Sequence, residues 1–133
     1  MQVVVFKLND EQFAVETSRV QGINDRMEIT KVPKAPAYIK GLINLRGNVI
    51  SLLDINLILD VEKGENDQNN IIVLHTQDEL VGIMVDEVDE VLEIEESLLE
   101  KIDDGKKTSY IKGIINFKDR IVTLIDIDKL IAN

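Results

Sequence analysis

Tyr38-Ile39-Lys40-Gly41-Leu42-Ile43-Asn44-Leu45 returns 72 residues later (110 − 38) as Tyr110-Ile111-Lys112-Gly113-Ile114-Ile115-Asn116-Phe117. The match runs on: Ser51-Leu52-Leu53-Asp54-Ile55 comes back as Thr123-Leu124-Ile125-Asp126-Ile127. Between Tyr38–Leu59 and Tyr110–Ile131, nine of 22 positions are identical and most others are like for like, which is more than chance composition supplies. A fainter echo pairs Val3-Val4-Val5-Phe6 with Ile71-Ile72-Val73-Leu74 at an offset of 68 (71 − 3). The chain therefore reads as a duplicated unit of about 65 residues. The pseudo-repeat halves lie near 1–66 and 67–133, with the polar run Glu62–Asn70 as punctuation between them. Neither half would bury much core alone. One body of 133 residues is expected, in which the halves can share strands.

Within each half, β signals dominate. Gln2–Leu8 and Gln12–Glu16 flank Asn9-Asp10-Glu11, and Leu42–Leu45 and Val49–Leu53 flank Arg46-Gly47-Asn48. Ile71–Thr76 with Leu80–Val85, and Ile114–Phe117 with Ile121–Ile125, have the same form. Apolar, largely β-branched runs around a short polar turn are the hairpin pattern. Four of them at this spacing predict a mainly β fold of small barrels or a sandwich. Short helices are expected at Pro33–Tyr38, Ile55–Leu59, Glu95–Ile102 and Ile127–Ile131, with Asp54 and Asp126 as N-caps of the second and fourth. Val85–Ile94 fits neither period well and is read as a bent or bulged strand.

Composition removes several classes of function. Fifteen basic and 25 acidic residues give a net charge of −10, which disfavours neutralising nucleic-acid phosphates or docking on anionic lipid. Cysteine is absent, so disulfides, thiol nucleophiles and Cys-based zinc sites are excluded together. The single His75 rules out a histidine cluster. The first residues are interrupted by Lys7 too soon for a signal peptide, and no apolar run approaches the roughly 18 residues of a membrane span. A cytoplasmic protein without metal or cofactor is the expectation.

Candidate chemistry is sparse. Asp54 and Asp126 are repeat-related carboxylates, which raises the alternative of a small aspartyl hydrolase on a pseudo-two-fold barrel. Such a dyad needs both acids sharing one proton, with small residues following each; here Ile55-Asn56 and Ile127-Asp128 follow, so capping is the stronger reading. Asp86, Glu87, Asp89, Glu90, Glu93, Glu95 and Glu96 lack the central glycine of a calcium loop and read as a solvated face. His75 reads as a strand-end histidine, and Asp103–Lys107 as ordinary loop. A small-ligand sensor is a third possibility that only a pocket could support. Arg46 stands out, because its rigid five-donor fork sits at a hairpin where its repeat mate is Lys118.

Together these residues resemble the CheW family of chemotaxis coupling proteins. The resemblance rests on Val32-Pro33, Pro36, Ile39-Lys40-Gly41-Leu42-Ile43-Asn44-Leu45-Arg46-Gly47-Asn48-Val49-Ile50 and Leu53-Asp54. Val81-Gly82-Ile83-Met84-Val85-Asp86-Glu87-Val88, Val91-Leu92 and the start Phe6-Lys7-Leu8 through Val20-Gln21-Gly22-Ile23 extend it over nearly the whole chain. It implies two packed five-stranded SH3-like barrels and no enzymatic activity. It implies a scaffold joining the regulatory domain of a CheA-type histidine kinase to the cytoplasmic tips of chemoreceptors, recruited to membrane receptor arrays. By resemblance, Val4, Thr17 and Val20 match a kinase-contacting surface, and Arg46, Val81, Val88 and Val91 a receptor-binding region. One departure is visible: many members carry a glutamate where Gly22 stands, so Arg46 lacks that partner, and Asp25 or Glu28 would have to replace it.

Overall fold

A computed structural model describes residues 1–101 and 110–131. Strand β1 (Gln2–Leu8) turns through Asn9-Asp10 into β2 (Glu11–Glu16), and a 3-10 turn at Thr17–Arg19 leads to β3 (Val20–Asp25). Then come β4 (Ile39–Leu45), β5 (Asn48–Leu53) and helix α1 (Ile55–Leu59). The second half follows the same order with β6 (Asn70–His75), β7 (Leu80–Val85) and β8 (Glu87–Glu93). After a 3-10 turn at Glu96–Leu98 come β9 (Leu99–Glu100), β10 (Ile111–Asn116), β11 (Ile121–Ile125) and helix α2 (Ile127–Ile131).

One sheet runs β8-β1-β2-β11-β10-β9 and the other β3-β6-β7-β5-β4, so each takes strands from both halves. Hairpin partners are antiparallel, whereas β2–β11 and β5–β7, which join a hairpin of one half to a hairpin of the other, are parallel. The second sheet has the expected five strands. The first has six, because β9 adds two residues against Ile114 and Ile115.

Burial explains why the repeated runs are continuous rather than alternating. In β1, Val3 and Val5 join a cluster drawn from their own sheet, with Ala14, Ile115, Val122 and Leu124. Val4, Phe6 and Leu8 point the other way, into a cluster shared with Ile72, Leu74, Val81 and Ile83 of the second sheet. The mirror case is β6: Ile71 and Val73 face their own sheet's cluster, Ile72 and Leu74 the shared one. Strands buried on both faces need apolar residues at every position. Each fully buried Ile, Leu or Phe contributes on the order of 1.5–3 kcal/mol, so the shared layer fixes the two sheets to each other.

The repeated Tyr-Ile-Lys-Gly motif has one physical explanation in both copies. Ile39 pairs with Leu53 and Gly41 with Leu52, leaving Lys40 as the extra residue of a β-bulge. Ile111 and Gly113 pair with Ile125 and Leu124, leaving Lys112 likewise. Each glycine admits a crossing backbone: a Cβ on Gly41 would lie 2.5 Å from the Thr30 carbonyl oxygen, and one on Gly113 2.7 Å from that of Glu100. The Tyr38 carbonyl then accepts from the Asp54 N–H at 2.8 Å, and the Tyr110 carbonyl from that of Asp126 at 2.7 Å. Both aspartates cap as expected: Asp54 Oδ1 accepts from Leu57 N, and Asp126 Oδ1 from Asp128 N and Lys129 N.

Two expected helices are absent. Pro33–Tyr38 forms two successive turns, since Pro36 has no N–H to donate and biases Ala35 away from helix, while Lys34 is left-handed at φ 61°. Glu95–Ile102 gives the 3-10 turn and β9, with Leu99 drawn into pairing with Ile115; Ile102, like the Asp103–Lys107 loop, lies outside the described residues. The bulged strand is present: β8 shifts register against β1 between Val5 and Phe6. Its acids are largely paired. Glu87 and Asp89 meet Lys7, Asp89 also accepts from Gln12, and Glu90 meets Arg120. Because β8 is an edge strand, these charges also discourage further strand addition. Asp86 is buried and accepts from Asn9 N at 2.8 Å, tying the β1–β2 turn to the end of β7.

Two outcomes follow. Gly41→Ala forces backbone apart and should cost about 1–3 kcal/mol in chemical denaturation; Gly22→Ala, whose Cβ would meet only Asn24 Nδ2 at 3.9 Å, should be near neutral. A protease site placed at Gly64-Glu65 should give a nicked protein that elutes at the intact size, since β1–β8, β2–β11, β3–β6 and β5–β7 all bridge the cut. Separation of the fragments under native conditions would contradict this topology.

Candidate partner-binding surfaces

Arg46 owes its position to a strained turn. Leu45 pairs with Asn48, so the β4–β5 connection is the two residues Arg46-Gly47, with φ of 53° and 87°. Positive φ at both positions matches the twist of a hairpin and favours Asn-Gly or Gly-Gly. An arginine there carries a cost on the order of 1–2 kcal/mol for the left-handed backbone. Asn44 offsets part of it, its Oδ1 accepting from Gly47 N at 2.9 Å. Arg46 is exposed and borders a cleft of about 130 Å³ with Gln21, Gly22, Asn24, Asn48 and Leu80. Among the described residues it makes no ion pair. Neither Asp25 nor Glu28 replaces the missing glutamate: Asp25 lies three residues beyond Gly22 on β3, opposite Asn70, and both acids stand exposed, with no ion pair among the described residues.

The other expected contact residues divide by burial. Val4 and Val81 are 2% and 1% exposed, so they shape a surface from beneath and offer a partner no contact area. The family resemblance matched them to partner surfaces, and residue type could not correct that, because a strand buried on both faces cannot be told from a half-exposed one. Val20 and Val88 are half-buried against the same shared core. Thr17 opens the 3-10 turn, its hydroxyl donating to the Gln2 backbone carbonyl at 3.2 Å. Val91 stands out on edge strand β8 at 50% exposure, directly across from Val4.

A larger apolar cleft of about 510 Å³ was not foreseen. Tyr38, Ile39, Leu53, Leu57, Val81 and Leu130 line it, so α1, α2 and the second sheet all contribute. Tyr38 and Leu57 are 41% and 53% exposed, large side chains with unusual access to solvent. On β7, Leu80 borders the Arg46 cleft and the next residue, Val81, borders this one. The signal available in sequence was the repeated Tyr38, but assembling the cleft needed the helices placed.

The carboxylates form no dyad. Asp54 engages its own cap and Lys63 at 3.2 Å, and Asp126 caps its own helix. Among the described residues no hydrogen bond joins the two, and no group of three or more His, Cys, Asp or Glu side chains could hold a metal ion. His75 is exposed at the end of β6. No helix among the described residues is long and apolar enough to cross a membrane.

The turn strain gives a direct test. Arg46→Asn installs the preferred Asn-Gly turn and should raise stability by about 1 kcal/mol. An unchanged or lowered denaturation midpoint would show that the arginine side chain stabilises the fold.

Comparison with known proteins agrees with this architecture. The CheW-like domain profile matches residues 2–133. The chemotaxis protein CheW of Thermotoga maritima is 34% identical, the alignment covering 98% of this chain and 87% of that protein. The chemotaxis protein CheW of Bacillus subtilis is 33% identical over 94% of this chain and 83% of its own length. The crystal structure of the scaffolding protein TtCheW from Thermoanaerobacter tengcongensis superposes with a TM-score of 0.91 at 28% identity, covering 99% of this chain and 88% of the other. With its duplicated bulge-hairpin-helix unit and two SH3-like sheets sharing strands, this chain belongs to the CheW-like domain family.

Proposed function

We propose that this protein is a non-enzymatic chemotaxis scaffold that couples a CheA-type histidine kinase to the cytoplasmic tips of chemoreceptors. The family match over residues 2–133 carries this reading, supported by relatives named as chemotaxis proteins and one named as a scaffolding protein. We read the two halves as one functional unit, working in the cytoplasm and recruited to receptor arrays. Its work is holding partners, which needs surfaces rather than reactive groups.

In this reading the receptor side has two parts, Arg46 at the β4–β5 turn and Val88 with Val91 on the edge strand β8, where Val91 lies across from Val4. The unpaired guanidinium beside Gly22 suits a carboxylate supplied by the receptor, and a charged pair formed there would fix the register of a docked helix. Val81 would form part of the floor of the neighbouring apolar cleft, whose exposed Tyr38 and Leu57 suit apolar side chains. The kinase side is the turn at Thr17 and Val20, with Val4 supporting it from the core.

Capture of a receptor signalling tip and of a kinase regulatory domain by the immobilised protein tests the reading. Arg46→Glu should lose the receptor at least about tenfold while keeping the kinase and an unchanged circular-dichroism spectrum. Thr17→Arg should show the reverse. If neither partner binds the wild-type chain at micromolar concentrations, the proposed coupling is wrong.

A further inference from the structure

The two copies of the repeated unit differ at the apolar cleft. At the offset of 72, Leu57 of α1 corresponds to Lys129 of α2, and Tyr38 to Tyr110. Leu57 stands 53% exposed where its mate is an exposed lysine. Tyr38 is 41% exposed where Tyr110 is half-buried against the shared core. The second copy builds the same hairpin and helix with a lysine at that position, so the frame does not require a leucine facing solvent. Large apolar side chains gathered in the open around a cleft mark a contact surface. Because Tyr38 and Leu57 keep about half their surface in water, the cleft is an open trough. A trough suits one face of a helix better than a small molecule, which needs most of its surface enclosed.

Charge narrows the occupant further. Of the described residues lining the cleft, Glu79 alone carries a charge. It is exposed and makes no ion pair among the described residues. Its backbone is fixed by Thr76, whose N–H and hydroxyl donate to the Glu79 carbonyl at 2.8 and 2.9 Å, while Glu79 N donates to Thr76 Oγ1 at 3.0 Å. A carboxylate held at the edge of an apolar trough favours a cation joined to apolar groups and disfavours an acid. We propose that the cleft seats an amphipathic helix of the partner, apolar side chains in the trough and a lysine or arginine one turn beyond them at Glu79. This rests on the reading of the cleft as part of the receptor side, and adds the charge a receptor helix must carry there. With a carboxylate suited to Arg46 in the neighbouring cleft, the two opposite charges set which way the helix lies.

The experiment uses two synthetic helical peptides, identical but for one residue, with leucines at i, i+3, i+4 and i+7 and either lysine or glutamate one turn beyond. Titration into the full chain, followed by amide chemical shifts at Leu53, Ile58, Leu130 and Ile131, should show the lysine peptide binding about fivefold more tightly. The net charge of −10 attracts any cation, so two variants separate that background from the cleft. Glu79→Gln should remove most of the preference, whereas Glu65→Gln, at an exposed carboxylate outside the lining, should keep it. Leu57→Ser should weaken both peptides about threefold or more, with an unchanged circular-dichroism spectrum. No shifts at the cleft, equal binding of the two peptides, or a preference that survives Glu79→Gln would overturn the proposal. The peptides carry no receptor sequence, so a preference seen alongside failed receptor capture would support the charge rule while overturning the coupling reading.

Discussion

The two sheets share a layer of apolar side chains, and most of the structure depends on it. Val4, Phe6 and Leu8 of one sheet meet Ile72, Leu74, Val81 and Ile83 of the other, with Ile125, Ile127 and Leu130 completing the layer. Phe6 and Phe13 stack within it, ring centroids 6.1 Å apart. Because β1, β6 and β7 have this layer on one side and their own sheet's core on the other, neither half-chain could fold alone without exposing a face. The five-residue helices obey the same constraint. They are too short to persist in isolation and exist because Ile55, Ile127 and Leu130 are buried in that layer.

Sharing strands between halves is the topological answer to that constraint. Each half contributes one hairpin to each sheet, and the parallel pairs β2–β11 and β5–β7 are the seams. Within each half, the same small device turns strand into helix: a bulged lysine, a glycine that admits a crossing backbone, and an aspartate bonded to the tyrosine carbonyl while capping the next helix. The copies keep this backbone and differ at the surface. Arg46 stands in a left-handed two-residue turn, whereas the Lys118 hairpin closes through a four-residue turn with Phe117 N donating to the Arg120 carbonyl. Duplication thus fixed the frame, and divergence of exposed side chains gave the two ends of the molecule different chemistry.

Legibility in the sequence followed the range of the interaction responsible. Hairpins and aspartate caps rest on neighbours close in sequence and were readable, and the bulge near Val88 showed as a local break in periodicity although its pairing partner is the distant β1. Pro33–Tyr38 was misread because a proline that can start a helix can equally end one, and the left-handed Lys34 leaves no local trace. Glu95–Ile102 was misread because pairing of Leu99 with Ile115 outweighed helical spacing. Among site residues, Arg46 and Val91 are exposed, Thr17, Val20 and Val88 are half-buried, and Val4 and Val81 lie in the core. The acidic stretch looked like one feature and is several: a buried Asp86 that ties a turn, and edge-strand carboxylates that pair with Lys7 and Arg120.

The sequence by itself determined the duplicated unit, the mainly β class, the hairpin positions, the caps and the poverty of reactive groups, because these depend on residue type and short spacing. Only the tertiary structure decided which valines face solvent, how the halves interleave, and what cleft α1 and α2 enclose. Those outcomes depend on residues far apart in sequence meeting in space. Val4 and Val91 are both valines on strands, and only the layer behind one of them separates core from surface.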